Sequence, residues 1–320
     1  MAAMRSLFAV LFALLFGRGL AGQPAPLPSH FRLVQVGDRA FAAIANEGDR
    51  SSVGNAGFVA GPDGVLVVDA FATEDAAREL LAEIRKRTAA PIRWVVNTHY
   101  HYDHLGGDAV FRREGAAVIS HDNVRRWTRT ENLHWRKEIS PADRAMLATL
   151  VLPDVTIGDG DRLTLQLGGR TAEVFFRPGH TGGDCVVRVP ESDVLFGGDL
   201  FWNATVPNTV DANTSAWIDT LDALVRAYPS ANFVPGHGEP GRALAVRFFR
   251  DYLSTLRQVV AHAIEKKLEG TALADDTVQF LKTRYGAWAW FDQFAAANAV
   301  QMEQEMRGTK KTATSFKEKP

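Results

Sequence analysis

The sequence predicts a layered α/β sandwich, and two observations carry the prediction. Short strand-like runs lead into a helical segment, and the same plan recurs in the second half of the chain. A content of 46% hydrophobic against 23% charged residues gives 320 residues enough apolar material for a sizeable core. The net charge of −1, from 36 Lys and Arg against 37 Asp and Glu, argues against a nucleic-acid binder. A single cysteine, Cys185, rules out an internal disulfide framework and a multi-cysteine metal site.

Arg5 precedes an apolar run from Ser6 to Phe16, and the small residues Gly17, Gly19, Ala21 and Gly22 follow. The run is too short for a permanent span, so residues 1–22 read as a signal peptide cleaved near Ala21 or Gly22. The expectation is an exported protein, periplasmic or secreted, whose mature form makes no integral membrane contact.

Strand patterning then covers Val34, Val36, Phe41 and Ile44. Phe58–Ala60 and Val65–Val68 flank Gly61-Pro62-Asp63-Gly64, a hairpin signal. Residues 73–88 have helical spacing, with Ala77, Leu80, Leu81 and Ile84 on one face. A buried strand follows at 92–96, then a helix after Gly107, a strand at 117–119, and mixed helix and loop over 122–152. In the second half, strands are expected at 162–167, 172–176, 185–189, 194–196 and 232–234, with a helix over 214–227. Residues 242–268 form a long amphipathic helix with Phe249, Leu253, Leu256, Val260 and Ile264 on one stripe. A further helical segment, 275–307, carries Tyr285, Trp288, Trp290, Phe291 and Phe294, read as packing against the domain. The organisation expected is a main domain over 23–241, helices packed on it over 242–307, and a disordered basic tail over 308–320.

The chemistry concentrates in Thr98-His99-Tyr100-His101-Tyr102-Asp103-His104, directly after an apolar strand. In extended chain, side chains at i and i+2 point the same way, so His99 and His101 can grip one ion. A turn into the following helix would aim Asp103 and His104 at a neighbouring ion. Three other places end a strand beside glycine and a metal-capable residue: Pro178-Gly179-His180, Gly197-Gly198-Asp199 and Pro235-Gly236-His237. Strand ends far apart in sequence can converge on one cleft, and five His and two Asp are enough for two metal sites. Such a nitrogen and oxygen donor set suits two Zn²⁺ ions, with iron or manganese compatible. A metal pair can lower the pKa of a shared water towards neutrality and set hydroxide against a carbonyl or phosphoryl group. No Gly-x-Ser-x-Gly occurs, and Cys185 reads as a buried strand residue. His30, His121, His134 and His262 lie outside the motifs and read as surface or packing residues.

These motifs, in this order, resemble the metallo-β-lactamase superfamily of binuclear hydrolases, from about Phe31 to about Arg242. The resemblance implies a four-layer αββα sandwich with a C-terminal helical extension, and a site at one edge between the two sheets. It implies that His99, His101 and His180 hold the first metal. Asp103, His104 and His237 would hold the second, and Asp199 would bridge. Asp103 would also orient the nucleophile and pass a proton to the leaving group, and Asp69 would buttress the metal loop. Within the superfamily, the cysteine-containing lactamases place a Cys where this chain has Asp199 and a Lys where it has Trp202. Acyl-homoserine lactonases place a Tyr at the Trp202 position, and the basic cluster of glyoxalase II has no clear counterpart. The reading is an exported zinc hydrolase of an ester, thioester, lactone or amide in a small-molecule substrate. Trp202, Phe201, Trp127 and Trp135 are the pocket candidates. The alternatives are a periplasmic β-lactamase, or a non-catalytic or redox metal protein on the same fold.

Overall fold

The computed structural model describes residues 29–134, 136 and 138–312. The expected signal peptide and Trp135 lie outside the described residues. The first half builds β1 (Phe31–Gly37), β2 (Ala40–Ala45), β3 (Ala56–Ala60), β4 (Val65–Val68), α1 (Glu74–Arg85) and β5 (Ile92–Val96). After these come α2 (Tyr102–Leu105), α3 (Asp108–Arg113), β6 (Ala117–His121), α4 (Asp122–Trp127), α5 (Pro141–Thr149) and β7 (Val155–Ile157). The second half builds β8 (Arg162–Gln166), β9 (Thr171–Phe176), β10 (Cys185–Val189), β11 (Val194–Trp202), α6 (Thr214–Ala227) and β12 (Asn232–His237). Three helices close the chain: α7 (Ala243–Glu265), α8 (Gly270–Tyr285) and α9 (Phe291–Met306).

Strands β1 to β7 lie in sequence order in one sheet, and the order β12-β11-β10-β9-β8 makes the other. The inner faces meet in a core that joins Val59, Leu66, Val68 and Val96 of one sheet to Val174, Cys185, Val187 and Phe196 of the other. Cys185 is fully buried there, in the strand position read for it. Outside the first sheet, α1 and α3 bury Ala77, Leu80, Ile84 and Phe111. Outside the second, α6 to α9 pack around Trp217, Phe249, Leu253, Leu256 and Leu281. The result is an αββα sandwich with a C-terminal helical extension.

Local chemistry explains the element ends. Asn213 caps α6 by accepting the Ala216 N–H. Ser140 and Asp143 form a reciprocal capping box at α5, with Pro141 at its first position. Strand β11 runs beyond the expected 194–196 to Trp202, with its pairing to β12 interrupted at Gly198. Gly198 has φ +50°, and a Cβ there would lie 2.3 Å from Thr98 Oγ1, so glycine permits both the kink and the approach. The segment read as one helical stretch from 275 divides into α8 and α9 around Gly286 to Trp290. Strand β7 was not read, because three residues paired in parallel with β6 carry no periodic signal. The tail expected to be disordered from Gly308 is placed through Thr312, where Lys310 is packed and hydrogen-bonded, and 313–320 lie outside the described residues. Among the described residues, no helix is long and apolar enough to cross a membrane.

Candidate metal centre

The loops that follow β5 and β9, the part of β11 beyond Gly198 and the last residues of β12 meet at one edge of the sandwich. They are tied to each other by backbone bonds: Cys185 N–H donates to Thr98 O (2.6 Å), and Asn55 N–H donates to Gly236 O (2.7 Å). Asn55 Nδ2 also donates to Pro235 O and Gly238 O, fixing the turn that carries His237. Gly236 is required here, since a Cβ would fall 1.8 Å from Asp199 Oδ1.

Ligand-capable atoms of His99, His101, His180 and Asp199 all lie within 4.8 Å of one another, and so do those of Asp103, His104 and His237. His180 Nε2 is 3.1 Å from His101 Nδ1. Asp199 Oδ2 is 3.2 Å from His180 Nε2 and 3.6 Å from His99 Nε2. The other oxygen, Oδ1, is 3.2 Å from His104 Nε2 and 3.5 Å from His237 Nε2. Asp103 Oδ2 is 3.6 and 3.5 Å from the same two nitrogens. A tetrahedral ion with bonds of about 2.0–2.1 Å separates its ligands by roughly 3.3 Å, so these spacings fit one ion per group. Asp199 presents one oxygen to each group. The short helix α2 performs the turn anticipated for Asp103 and His104, lifting both off the line of His99 and His101.

The site also carries buried polar atoms that the protein leaves unmatched. Among the described residues, His99 Nε2, His104 Nε2 and Asp199 Oδ1 are buried without a hydrogen-bond partner. Each such atom costs about 1–3 kcal/mol, which a shared cation removes. The residues therefore fit two ions of the zinc, iron or manganese kind. Electrostatics agree. Burial lowers His99 well below the ordinary imidazole value and pushes His180 down to about 3, keeping both neutral, the form that ligates. Burial acts the same way on His104, but Asp199, Asp103 and Asp69 outweigh it and raise His104 well above its usual value. Burial would raise Asp103, yet His104 and His237 hold it at about 2.

The opposite nitrogen of three imidazoles is held by a fixed partner, which sets ring orientation. Thr98 Oγ1 lies 3.1 Å from His99 Nδ1. His104 Nδ1–H donates to Asp69 Oδ2 (3.0 Å), and Asp69 also accepts the Thr98 N–H (2.7 Å) and hydroxyl (2.8 Å). His101 Nε2–H donates to Asp211 Oδ2 (3.0 Å), a residue the sequence reading missed. Asp211 sits in a loop with no glycine-flanked motif, so only the folded chain marks it. Its second oxygen accepts from His134 Nε2 (2.6 Å), so His134, read as surface or packing, packs behind the ligand-capable groups and supports Asp211. Burial would raise the Asp211 carboxyl, but these two imidazoles hold it well below the usual carboxylate range.

A cleft of about 300 Å³ opens over both groups, lined by Trp202, Trp290 and Phe294 and by Tyr102, Leu133 and Arg136. A second cavity of about 430 Å³, bordered by Arg32, Arg50 and Glu239, meets it at Val53, His237 and Trp290. Trp202 stacks on His237 with ring centres 4.1 Å apart and donates its indole N–H to Asp199 O (2.8 Å). Trp290 meets the same imidazole edge-on at 4.8 Å. Phe201 does not line the cleft: alternation along β11 sends it the opposite way from Trp202, into the core against Phe233 and Phe249. Trp127 packs against Tyr100 outside the cleft. Trp290 and Phe294 pack against the helical core, as read, and also line the cleft.

A sequence model described as the metallo-beta-lactamase superfamily matches residues 50–259, and the chain belongs to this superfamily. It is 28% identical over 184 residues to a metallo-beta-lactamase type 2 of Bacillus cereus, covering 56% of this chain and 64% of that protein. It is also 28% identical over 184 residues to an acyl-coenzyme A thioesterase of Homo sapiens, covering 54% of this chain and 61% of that one. A linear primary-alkylsulfatase of Pseudomonas sp. is 24% identical over 255 residues, covering 67% of this chain and 48% of that one. The chain thus spans less than two thirds of the length of these curated relatives. Among solved structures, a metallo-beta-lactamase from Pontibacter korlensis has the same fold, with TM-score 0.57 and 24% identity, covering 70% of this chain and 99% of that one. The superfamily match ends inside α7, so α8 and α9 lie beyond it.

Proposed function

We propose that this protein is an exported binuclear zinc hydrolase that cleaves an ester, thioester, lactone or amide bond in a small substrate bearing an apolar group. The observation that carries the reading is the split of the Asp199 carboxylate, one oxygen facing His99 and His180 and the other facing His104 and His237. In this reading His99, His101 and His180 would hold one ion, Asp103, His104 and His237 would hold the other, and Asp199 would serve both. When bound, the ions would activate a water and polarise the substrate oxygen. Asp103, whose side chain is 15% exposed to the cleft, orients the nucleophile and carries a proton to the leaving group. Asp69 and Asp211 keep His104 and His101 in the required ring orientation.

The aromatic wall supports an acyl or aryl group lying along Trp202, Trp290 and Phe294. Arg136 is the one Lys or Arg among the described residues lining this cleft, and it pairs with Asp143, which disfavours long polyanions. The direct test is metal content of protein purified without chelator, with turnover of nitrocefin, a lactone, a thioester and a phosphodiester. About two equivalents of zinc with turnover of the lactone or thioester is the expected result. Nitrocefin turnover alone would move the assignment to a β-lactamase. One iron, or no metal, overturns the binuclear reading in favour of a redox or non-catalytic role.

A further inference from the structure

The C-terminal helix α9 lies outside the region matched to the superfamily, yet it grips the segment that carries Asp211 along its length. Asn298 Nδ2 donates to Pro207 O (2.7 Å), and Asn298 Oδ1 accepts the Thr209 N–H (3.2 Å) and hydroxyl (2.8 Å). Lys310 Nζ, on a side chain only 5% exposed, donates to Thr209 O (2.7 Å) and Ala212 O (2.6 Å). These carbonyls flank Asp211, in a turn closed by the Ala212 N–H to Thr209 O. Glu305 accepts the Thr214 N–H (3.1 Å) and hydroxyl (2.6 Å) and is itself held by Arg257 (2.8 Å). Asp211 in turn receives the His101 Nε2–H. An unbroken line of contacts therefore runs from α9 and Lys310, just beyond it, to an imidazole of the candidate metal centre.

We propose that Lys310, assisted by Asn298 and Glu305, is a positioning residue for the metal site, acting through Asp211 on His101. The inference rests on the metal-site reading above. A buried ammonium that bonds two carbonyls of one turn fixes that turn's backbone, and with it the direction of the Asp211 carboxylate. The carboxylate sets the tautomer and tilt of His101, so Nδ1 faces the shared ligand space. Lys310 stands beyond the end of α9, and its ammonium also lies 3.5 Å from Glu305 Oε2 on that helix.

Cobalt(II) binding by the full chain, followed through the absorption bands of the bound ion under chelator competition, tests this. Lys310→Met is expected to weaken one of the two cobalt sites about ten-fold, the low end of the usual effect for a residue supporting a ligand. Lys310→Arg, which still reaches the carbonyls, restores binding. In an Asp211→Asn background the Lys310→Met loss disappears, because the relay is already broken. Unchanged affinity in Lys310→Met overturns the proposal, and so does the same loss in both backgrounds, which marks a general effect on folding. If Lys310→Met does not fold, Lys310→Gln goes through the same cycle under the same criteria. A wild-type chain that binds no cobalt overturns the metal-site reading itself, a result distinct from equal binding by both proteins.

Discussion

His101 shows how much one side chain has to satisfy. Its Nδ1 lies among the other ligand-capable atoms while its Nε2 is committed to Asp211. His101→Ala is expected to strip metal and abolish hydrolysis, measured as zinc per chain by atomic emission beside the turnover assay. Full activity in that variant would remove the site assignment. Asp103→Asn keeps much of the metal but loses about 10²–10⁴ in kcat, the usual share of a general acid or base. Asp211→Asn is expected to weaken metal affinity about 10–100-fold while the fold stays intact. Chelator competition together with a circular dichroism spectrum separates those two effects. The seven ligand-capable residues gathered at the candidate centre were legible in the sequence because each sits beside glycine or in a dense His/Asp run. Asp211 and His134 were not, since a lone Asp and a lone His in a loop look the same whether they touch a ligand or water.

Elements were legible to the degree that their periodicity was long. The stripe on α7 is realised, with Phe249, Leu253, Leu256 and Val260 fully buried against the second sheet and α6. Leu253→Ala should cost about 2–5 kcal/mol in a denaturant melt, the range for a fully buried leucine. A cost near zero would mean that α7 packs less closely than described. The junction between α8 and α9 behaves differently. Trp290 has φ +62° and Val53, which lines the same cleft, has φ +53°, conformations that bulky L-residues adopt only under constraint from their surroundings. Strain at two residues lining one cleft agrees with a recognition role for that wall. Trp290→Ala is expected to lower kcat/KM for a decanoyl ester several-fold more than for an acetyl ester. Equal losses on both would return Trp290 to a packing role.

Across the whole molecule, the candidate centre joins both sheets: His99 to His104 follow β5 of the first, while His180, Asp199 and His237 come from the second. Ions bound there would hold the two halves together, so metal removal should be felt as global stability. Ligand at a hundred times its Kd contributes about 2.7 kcal/mol, which in a chain of this size corresponds to roughly 4 °C in Tm. Dialysis against a chelator should lower the melting temperature by that order, and added zinc should restore it. A melting curve indifferent to chelator would argue that the ligand cluster is not loaded.

A layered α/β sandwich and the His/Asp cluster follow from the sequence because both depend on local signals: alternation within strands, helical stripes, and ligand-capable residues placed at strand ends beside glycine. The αββα order of the layers came from the resemblance of the motifs to a known superfamily. What required the tertiary structure was every assignment that depends on which way a residue faces. Phe201 and Trp202 are neighbours of the same chemical kind, and only the sheet decides that one enters the core while the other stacks on His237. The same holds for Trp290 and Lys310, whose partners lie about fifty to a hundred residues away in sequence. Composition and periodicity describe a residue's nearest chain neighbours. A hydrogen bond or a ring contact is set by packing between elements, and that is decided only when the layers close on each other.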